Sequence, residues 1–202
     1  MMKNAKQLIL LCALMMFAVT LFAQDSDPAA MLRHPRWTAA VYAGGGNGLE
    51  DQTNVHFVRV GGRISRVLIP EIGSGRLQSS IEYGWEVNPV DYVLWGGYKS
   101  VYGFSISPLL LKWNFTAPKR TVPFILVTGT YLHTSENIPP GDTAQHNFLS
   151  GVGIGMNHFV NANHAVTWDV RAVHLSNASI GNHNPGVNVA LQFTMGYTWF
   201  KK

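Results

Sequence analysis

Residues 76–88 read "RLQSSIEYGWEVN". Leu77, Ser79, Ile81, Tyr83, Trp85 and Val87 take the odd positions, while Gln78, Ser80, Glu82, Gly84 and Glu86 take the even ones. A period of two marks a β-strand, because successive side chains leave opposite faces of the backbone. One face is apolar and aromatic, and the other carries two carboxylates. A helix would scatter both sets around its axis.

The same period extends in both directions. Upstream lie "WTAAVYAG" (37–44), which ends in "GGGNG", and "VHFVRVGGRISRV" (55–67). Downstream lie "YKSVYGFSISPLLLKWNF" (98–115), broken by Pro108, "PFILVTGTYLHT" (123–134) and "NFLSGVGIGMNHF" (147–159). "HAVTWDVRAVHLS" (164–176) and "NVALQFTMGYTWF" (188–200) complete eight strands, joined by Gly-, Pro- and Asn-rich turns with no helical segment of useful length between them. That arrangement makes neighbours antiparallel and the sheet closed or sandwiched. The strands, at about 9–13 residues, exceed the globular mean of roughly 5–6 and suit the 9–11 of a tilted membrane-crossing strand. An even count, one apolar face and terminal aromatics such as "YTWF" predict an all-β, eight-stranded antiparallel outer-membrane β-barrel. The competing reading is a soluble lipid-binding barrel, which would turn its apolar face inward.

Composition agrees with an apolar outer surface. Of 202 residues, 47% are hydrophobic, 11% aromatic and only 13% charged, with 20 glycines; ordinary soluble domains carry about a quarter charged residues. Residues 1–23 read as a secretory signal, with Lys3 and Lys6 before the apolar run "LILLCALMMFAVTLF". Leaving those two lysines aside, 13 basic residues face 11 acidic ones. That balance, with no basic stripe, gives no reason to expect nucleic acid as a partner. Cys12 is the one cysteine and lies inside the signal, so the mature chain is expected to have neither disulfide nor thiol nucleophile. Residues 24–36 read as a poorly ordered lead-in, and 37–202 as the barrel.

If the chain enters the barrel from the periplasm, connections 45–54, 89–97, 135–146 and 177–187 lie outside the cell. Connections 68–75, 116–122 and 160–163 then lie on the periplasmic side. The first set is longer on the whole, as in bacterial barrels. Glu82, Glu86, Asp169, Arg171, Arg63 and Arg66 are candidates for a salt-bridge network in the lumen.

Candidate chemistry sits at the outer end of the seventh strand. Trp168, Val170, Ala172, His174 and Ser176 share one face, and Asp169 and Arg171 the other. The charged pair belongs in the lumen, so His174 and Ser176 face lipid near the outer rim. Their Cα atoms are about 7 Å apart on one strand face, close enough for rotamers to bring a hydrogen bond. A serine beside a histidine is the minimal activated nucleophile. A His-x-Ser pair is also common by chance, and an interfacial histidine can be only a polar tip on an apolar stem. No HExxH or GxSxG pattern, and no spacing of a metal site, occurs among the eight histidines.

"HLSNASIGNHNPGVN" (174–188) resembles the signature of the lipid A 3-O-deacylase family (PagL type), a family of eight-stranded outer-membrane barrels with a His-x-Ser-Asn motif on the penultimate strand. The resemblance implies Ser176 as nucleophile, His174 as its base, and Asn177 and Ser179 as the residues of the oxyanion hole. Asn188 falls where well-known members carry a glutamate, and Ser179 falls where members commonly carry glycine. An asparagine can accept a hydrogen bond from the imidazole but cannot stabilise the imidazolium by charge. Strict alternation along the eighth strand puts Asn188 on the inner face; a β-bulge near Gly186 would re-aim it.

The resulting expectation is a membrane-embedded esterase acting on the lipid A of lipopolysaccharide, with no cofactor and no metal. The alternative is a non-catalytic small barrel with a structural or adhesion role.

Overall fold

A computed structural model describes residues 27–34, 36–49, 54–185 and 187–201, with the side chain of Asn188 outside that description. The expected signal at 1–23 lies outside the described residues. Eight strands form one closed antiparallel barrel in sequence order: β1 (Trp37–Gly48), β2 (Val55–Ile72), β3 (Ser79–Trp95), β4 (Val101–Phe115), β5 (Thr121–Ile138), β6 (Ala144–Asn161), β7 (His164–Ser176) and β8 (Val187–Phe200). β8 closes on β1, with Val41 opposite Tyr197.

Side-chain direction decides between the two barrel readings. Val41, Val60, Ile64, Val127, Val152, Ile154, Leu191 and Phe193 stand exposed on the outer wall. Arg59, Arg63, Glu82, Glu86, Asp91, Lys112, Asp169 and Arg171 are buried inside. Apolar-out and polar-in is the pattern of a barrel solvated by lipid. Trp37, Trp113 and Trp199 are exposed near one rim, and Tyr92, Tyr102, Phe104 and Phe148 near the other; these are two interfacial aromatic girdles.

The interior has three layers. At the rim of the β7–β8 connection, Phe57, Val93, Leu132, Leu149, Val173 and Leu175 form an apolar plug. The middle is ionic. Arg171 holds Glu86 through both terminal nitrogens at 2.8 and 2.9 Å and Asp169 through Nε at 2.6 Å. Arg63 also reaches Glu86, at 2.5 Å, and Arg59 pairs with Asp91 at 2.8 Å. Lys112 stands 3.3 Å from Glu82 and over the Phe124 ring at 4.3 Å. At the opposite rim, Val67, Val122, Phe159, Ala165 and Phe200 form a second apolar layer.

Several sequence expectations change here. The lead-in is partly built: Pro28–Arg33 forms a 3-10 turn whose Ala29, Met31 and Leu32 complete that second apolar layer. Its Ala29 amide donates to the Lys119 carbonyl at 3.0 Å, so the turn caps the barrel end. Arg66 does not join the lumen network; it sits three positions from Arg63, hence on the other face, with its guanidinium over the Trp37 ring at 5.7 Å. Arg59, Asp91 and Lys112 take part instead. The strand expected at 76–88 begins at Ser79, after a 3-10 turn at Gly75–Leu77, and continues to Trp95. Pro89 and Val90 are carried in a bulge, as the register shift between Asn88 and Asp91 marks. Pro108 does not break β4: the register shifts between Ile106 and Leu109, and the Pro108 carbonyl accepts the Tyr83 hydroxyl at 2.7 Å. A bulge tolerates the missing amide donor that a regular ladder would not.

Candidate active site

β7 has an inner edge that anchors and an outer edge that is available. Asp169, Arg171, Val173 and Leu175 are buried, while Ala172 and His174 are exposed and Ser176 is half-buried. The alternation expected from the sequence therefore holds through Ser176. Both residues face outward at the strand's outer end, with the apolar plug residues Val173 and Leu175 directly behind them. Across the β6–β7 pair, His174 stands opposite Ser150 and Ser176 opposite Phe148.

On the other side the ladder is irregular. Val173 pairs with Ala190 and Leu175 with Val187. One residue, His174, thus faces two, Asn188 and Val189. This is a β-bulge, and it breaks the strict alternation that would assign Asn188 to the lumen. It lies one to four residues beyond Gly186, the neighbourhood expected from the sequence. Val187 and Ala190 flank it, both buried. A bulge is invisible to a one-strand reading because it exists only as a mismatch with the partner strand.

The connection after β7 is knotted by Asn177, which is buried at 2% exposure. Its amide Nδ2 donates to the His183 carbonyl at 2.9 Å, and its Oδ1 accepts the Ser179 amide at 2.9 Å. Its own backbone N–H donates to Asn184 Oδ1 at 3.1 Å. These bonds occupy the backbone donors of Asn177 and Ser179, the two residues expected at the oxyanion hole. The amide that instead donates to Ser176 Oγ is that of Ala178, at 3.4 Å. Sequence reasoning missed Ala178, whose side chain carries no chemistry. Ala178 and Ser179 both adopt left-handed backbone, with φ of 50° and 62°. Left-handed backbone favours glycine, and serine holds it at position 179 at a cost.

The knot docks on the β5–β6 connection. Asn182 Nδ2 donates to the Asp142 carboxylate at 3.1 and 3.2 Å. Gly181 lies so close that an added Cβ would meet the Thr143 carbonyl oxygen at 2.7 Å.

Beside His174 the outer wall is indented. Ser150, Gly151, Ala172, Val127, Val152 and Val189 border a groove of about 320 Å³ that also touches His174. Small residues supply the depth, and Gly129, opposite Ser150 on β5, extends the low relief. The groove is mainly apolar and opens on the lipid-facing surface.

Fold, girdles and outward-facing site define a small barrel of the bacterial outer membrane. The family model for lipid A 3-O-deacylase (PagL) matches residues 73–198, and the chain belongs to that family. The crystal structure of the outer membrane enzyme PagL aligns with a TM-score of 0.56 at 20% identity, covering 79% of this chain and 98% of that one. The N-terminal β-barrel domain of Pseudomonas aeruginosa OprF aligns at 0.49 with 10% identity, covering 83% of this chain and 100% of that one. Neisserial surface protein A aligns at 0.43 with 16% identity, covering 81% and 95%. No curated protein sequence matches the chain.

Proposed function

We propose that this protein is an outer-membrane serine esterase that removes the 3-O-linked acyl chain from lipid A. Ser176 Oγ attacks the ester carbonyl while His174 takes the hydroxyl proton. The tetrahedral oxyanion accepts the Ala178 amide, held by the Asn177–Ser179 turn. The bond between the acyl carbon and the sugar 3-oxygen then breaks, and His174 returns the proton to that oxygen. Water, deprotonated by His174, attacks the acyl-serine ester and releases a 3-hydroxy fatty acid and free Ser176. Asn188 accepts a hydrogen bond from the imidazole and fixes its tautomer. The groove beside His174 receives the acyl chain, so that chain stays in an apolar environment throughout.

The observation that carries this reading is the joint placement of His174 and Ser176 on the lipid-facing side of β7, with His174 opposite the β8 bulge. This placement supports the reading because a membrane ester would reach Ser176 and His174 without leaving the bilayer. Mass spectrometry of lipid A from cells expressing the protein tests it. Wild type should shift lipid A by the mass of one 3-hydroxyacyl chain, and Ser176→Ala and His174→Ala should each lower that conversion by about 10³-fold or more.

A second reading, a non-catalytic barrel that keeps the family fold, is favoured by asparagine at 188 where the family's glutamate is expected. Unchanged lipid A in cells holding folded wild-type protein would support it and overturn the esterase.

A further inference from the structure

The row of outward residues does not end at Ser176. Phe148, opposite Ser176, is itself opposite Tyr131 on β5. Two residues farther toward the rim, His146 stands opposite His133, and His133 opposite Phe104. The two imidazole rings lie 4.8 Å apart, and His133 lies 5.6 Å from the Phe104 ring. The Tyr131 hydroxyl and His146 Nδ1 share a 2.6 Å hydrogen bond. His133 Nδ1 is shielded from solvent and meets no hydrogen-bond partner among the described residues. A buried polar atom without a partner calls for one.

This patch is unlike the opposite girdle, which is built on tryptophans. It gathers a phenol and two imidazoles, and its ring contacts and hydrogen bonds include no carboxylate. It sits at the aromatic level, where lipid headgroups lie. His146 is the diagonal neighbour of Ser176 across the β6–β7 pair, about 7–8 Å away between Cα atoms. With the Tyr131 hydroxyl and His146 Nδ1 bonded to each other and His133 Nδ1 shielded, the second ring nitrogens of the two imidazoles are the donors for an anionic oxygen cluster, while Phe104 and Phe148 offer flat apolar surface to the face of a pyranose.

We propose that Tyr131, His133 and His146 form a subsite for the phosphorylated sugar headgroup of the substrate, holding a phosphate monoester while the acyl ester lies at Ser176. The subsite rests on the deacylase reading for its substrate but concerns binding. It makes the histidine pair a specificity determinant: the headgroup phosphate fixes which ester of the lipid reaches the nucleophile.

Binding to folded Ser176→Ala protein in detergent micelles tests the subsite without turnover. Two ligands are compared, bisphosphorylated lipid A and the same lipid A stripped of its phosphates. The phosphorylated form should bind at least about tenfold tighter, the range of a charge-assisted hydrogen bond. Adding His133→Gln and His146→Gln should abolish that preference and leave binding of the stripped lipid unchanged. His133→Phe, which keeps the ring packing and removes the nitrogens, should lose most of it if the double variant does not fold. A preference that survives these substitutions, an equal loss on both ligands, or equally effective displacement by phosphatidylglycerol micelles would overturn the proposal. Loss of the preference in a protein whose wild type leaves lipid A intact would sink the deacylase and leave the subsite standing.

Discussion

Two residues, Asn188 and Val189, fall opposite His174 across the β7–β8 pair, and the proposed mechanism gives the first of them the task of orienting the imidazole. In the proposed mechanism Asn188 would orient the ring without supplying the negative charge that a triad carboxylate gives the imidazolium. Asn188→Glu should therefore raise the rate of lipid A deacylation by about tenfold or more, a part of what a triad carboxylate supplies. Conversion measured by mass spectrometry under matched expression reads this directly. A collapse of activity would mean that 188 does not face the imidazole and that the bulge aims its side chain elsewhere. The same residue marks where sequence legibility stops. His174 and Ser176 could be assigned to the outer wall from alternation along β7 alone, because β7 pairs regularly with β6. Asn188 could not, since its facing depends on an extra residue in β8 relative to β7. Ala178 was illegible for another reason: the contribution proposed for it is a backbone amide, in a left-handed conformation that its side chain does not advertise.

At the scale of elements, the described part of the connection between β7 and β8 is tied to itself and to the neighbouring β5–β6 connection. Asn177 ties it internally, and Gly181 and Asn182 seat it on the β5–β6 connection. Gly181→Ala places a methyl against the Thr143 backbone, which cannot swing aside as a side chain would. The connection must shift, and the Ala178 amide with it. Deacylation should fall between about tenfold and a hundredfold, the penalty of displacing a positioned group by around 1 Å. Heat-modifiable migration and the urea midpoint should stay at wild-type values, because no barrel pairing involves Gly181. A fall in stability equal to the fall in activity would show the connection to be a barrel element after all. Strand existence was legible throughout, since the period of two runs through all eight segments. Strand ends were not. β3 and β5 run well past their apolar periods because backbone pairing continues where side-chain patterning stops, and Pro89 and Pro108 are absorbed by bulges. The capping turn at Pro28–Arg33 was hidden in a Pro- and Asp-rich segment. Its three buried apolar residues were the signal available.

Over the whole molecule, one strand joins the ionic layer to the site. β7 sends Asp169 and Arg171 into the lumen and presents His174 and Ser176 outside, so the network that fills the barrel also fixes the strand that carries the proposed chemistry. Lipid outside forces the polar faces inward, and eight strands leave a lumen just wide enough for side chains to fill. The charges there are buried, so each needs its partners. Arg171 is the node, touching Glu86 and Asp169 on two strands. Arg171→Met keeps much of the volume and leaves those two carboxylates with Arg63 alone, at 2.5 Å from Glu86 and 3.6 Å from Asp169. Removing one member of a buried ionic cluster costs about 3–5 kcal/mol. The unfolding free energy of the barrel from urea titration in detergent should fall by that amount, and the midpoint with it, while Glu86→Gln combined with Arg171→Met should recover part of it by removing an orphaned charge. Arg66→Ala is the matched control. That arginine lies outside, over Trp37, and its loss should leave the midpoint unchanged. Equal effects from Arg66 and Arg171 would contradict the assignment of the two faces, and with it the outward direction of His174 and Ser176.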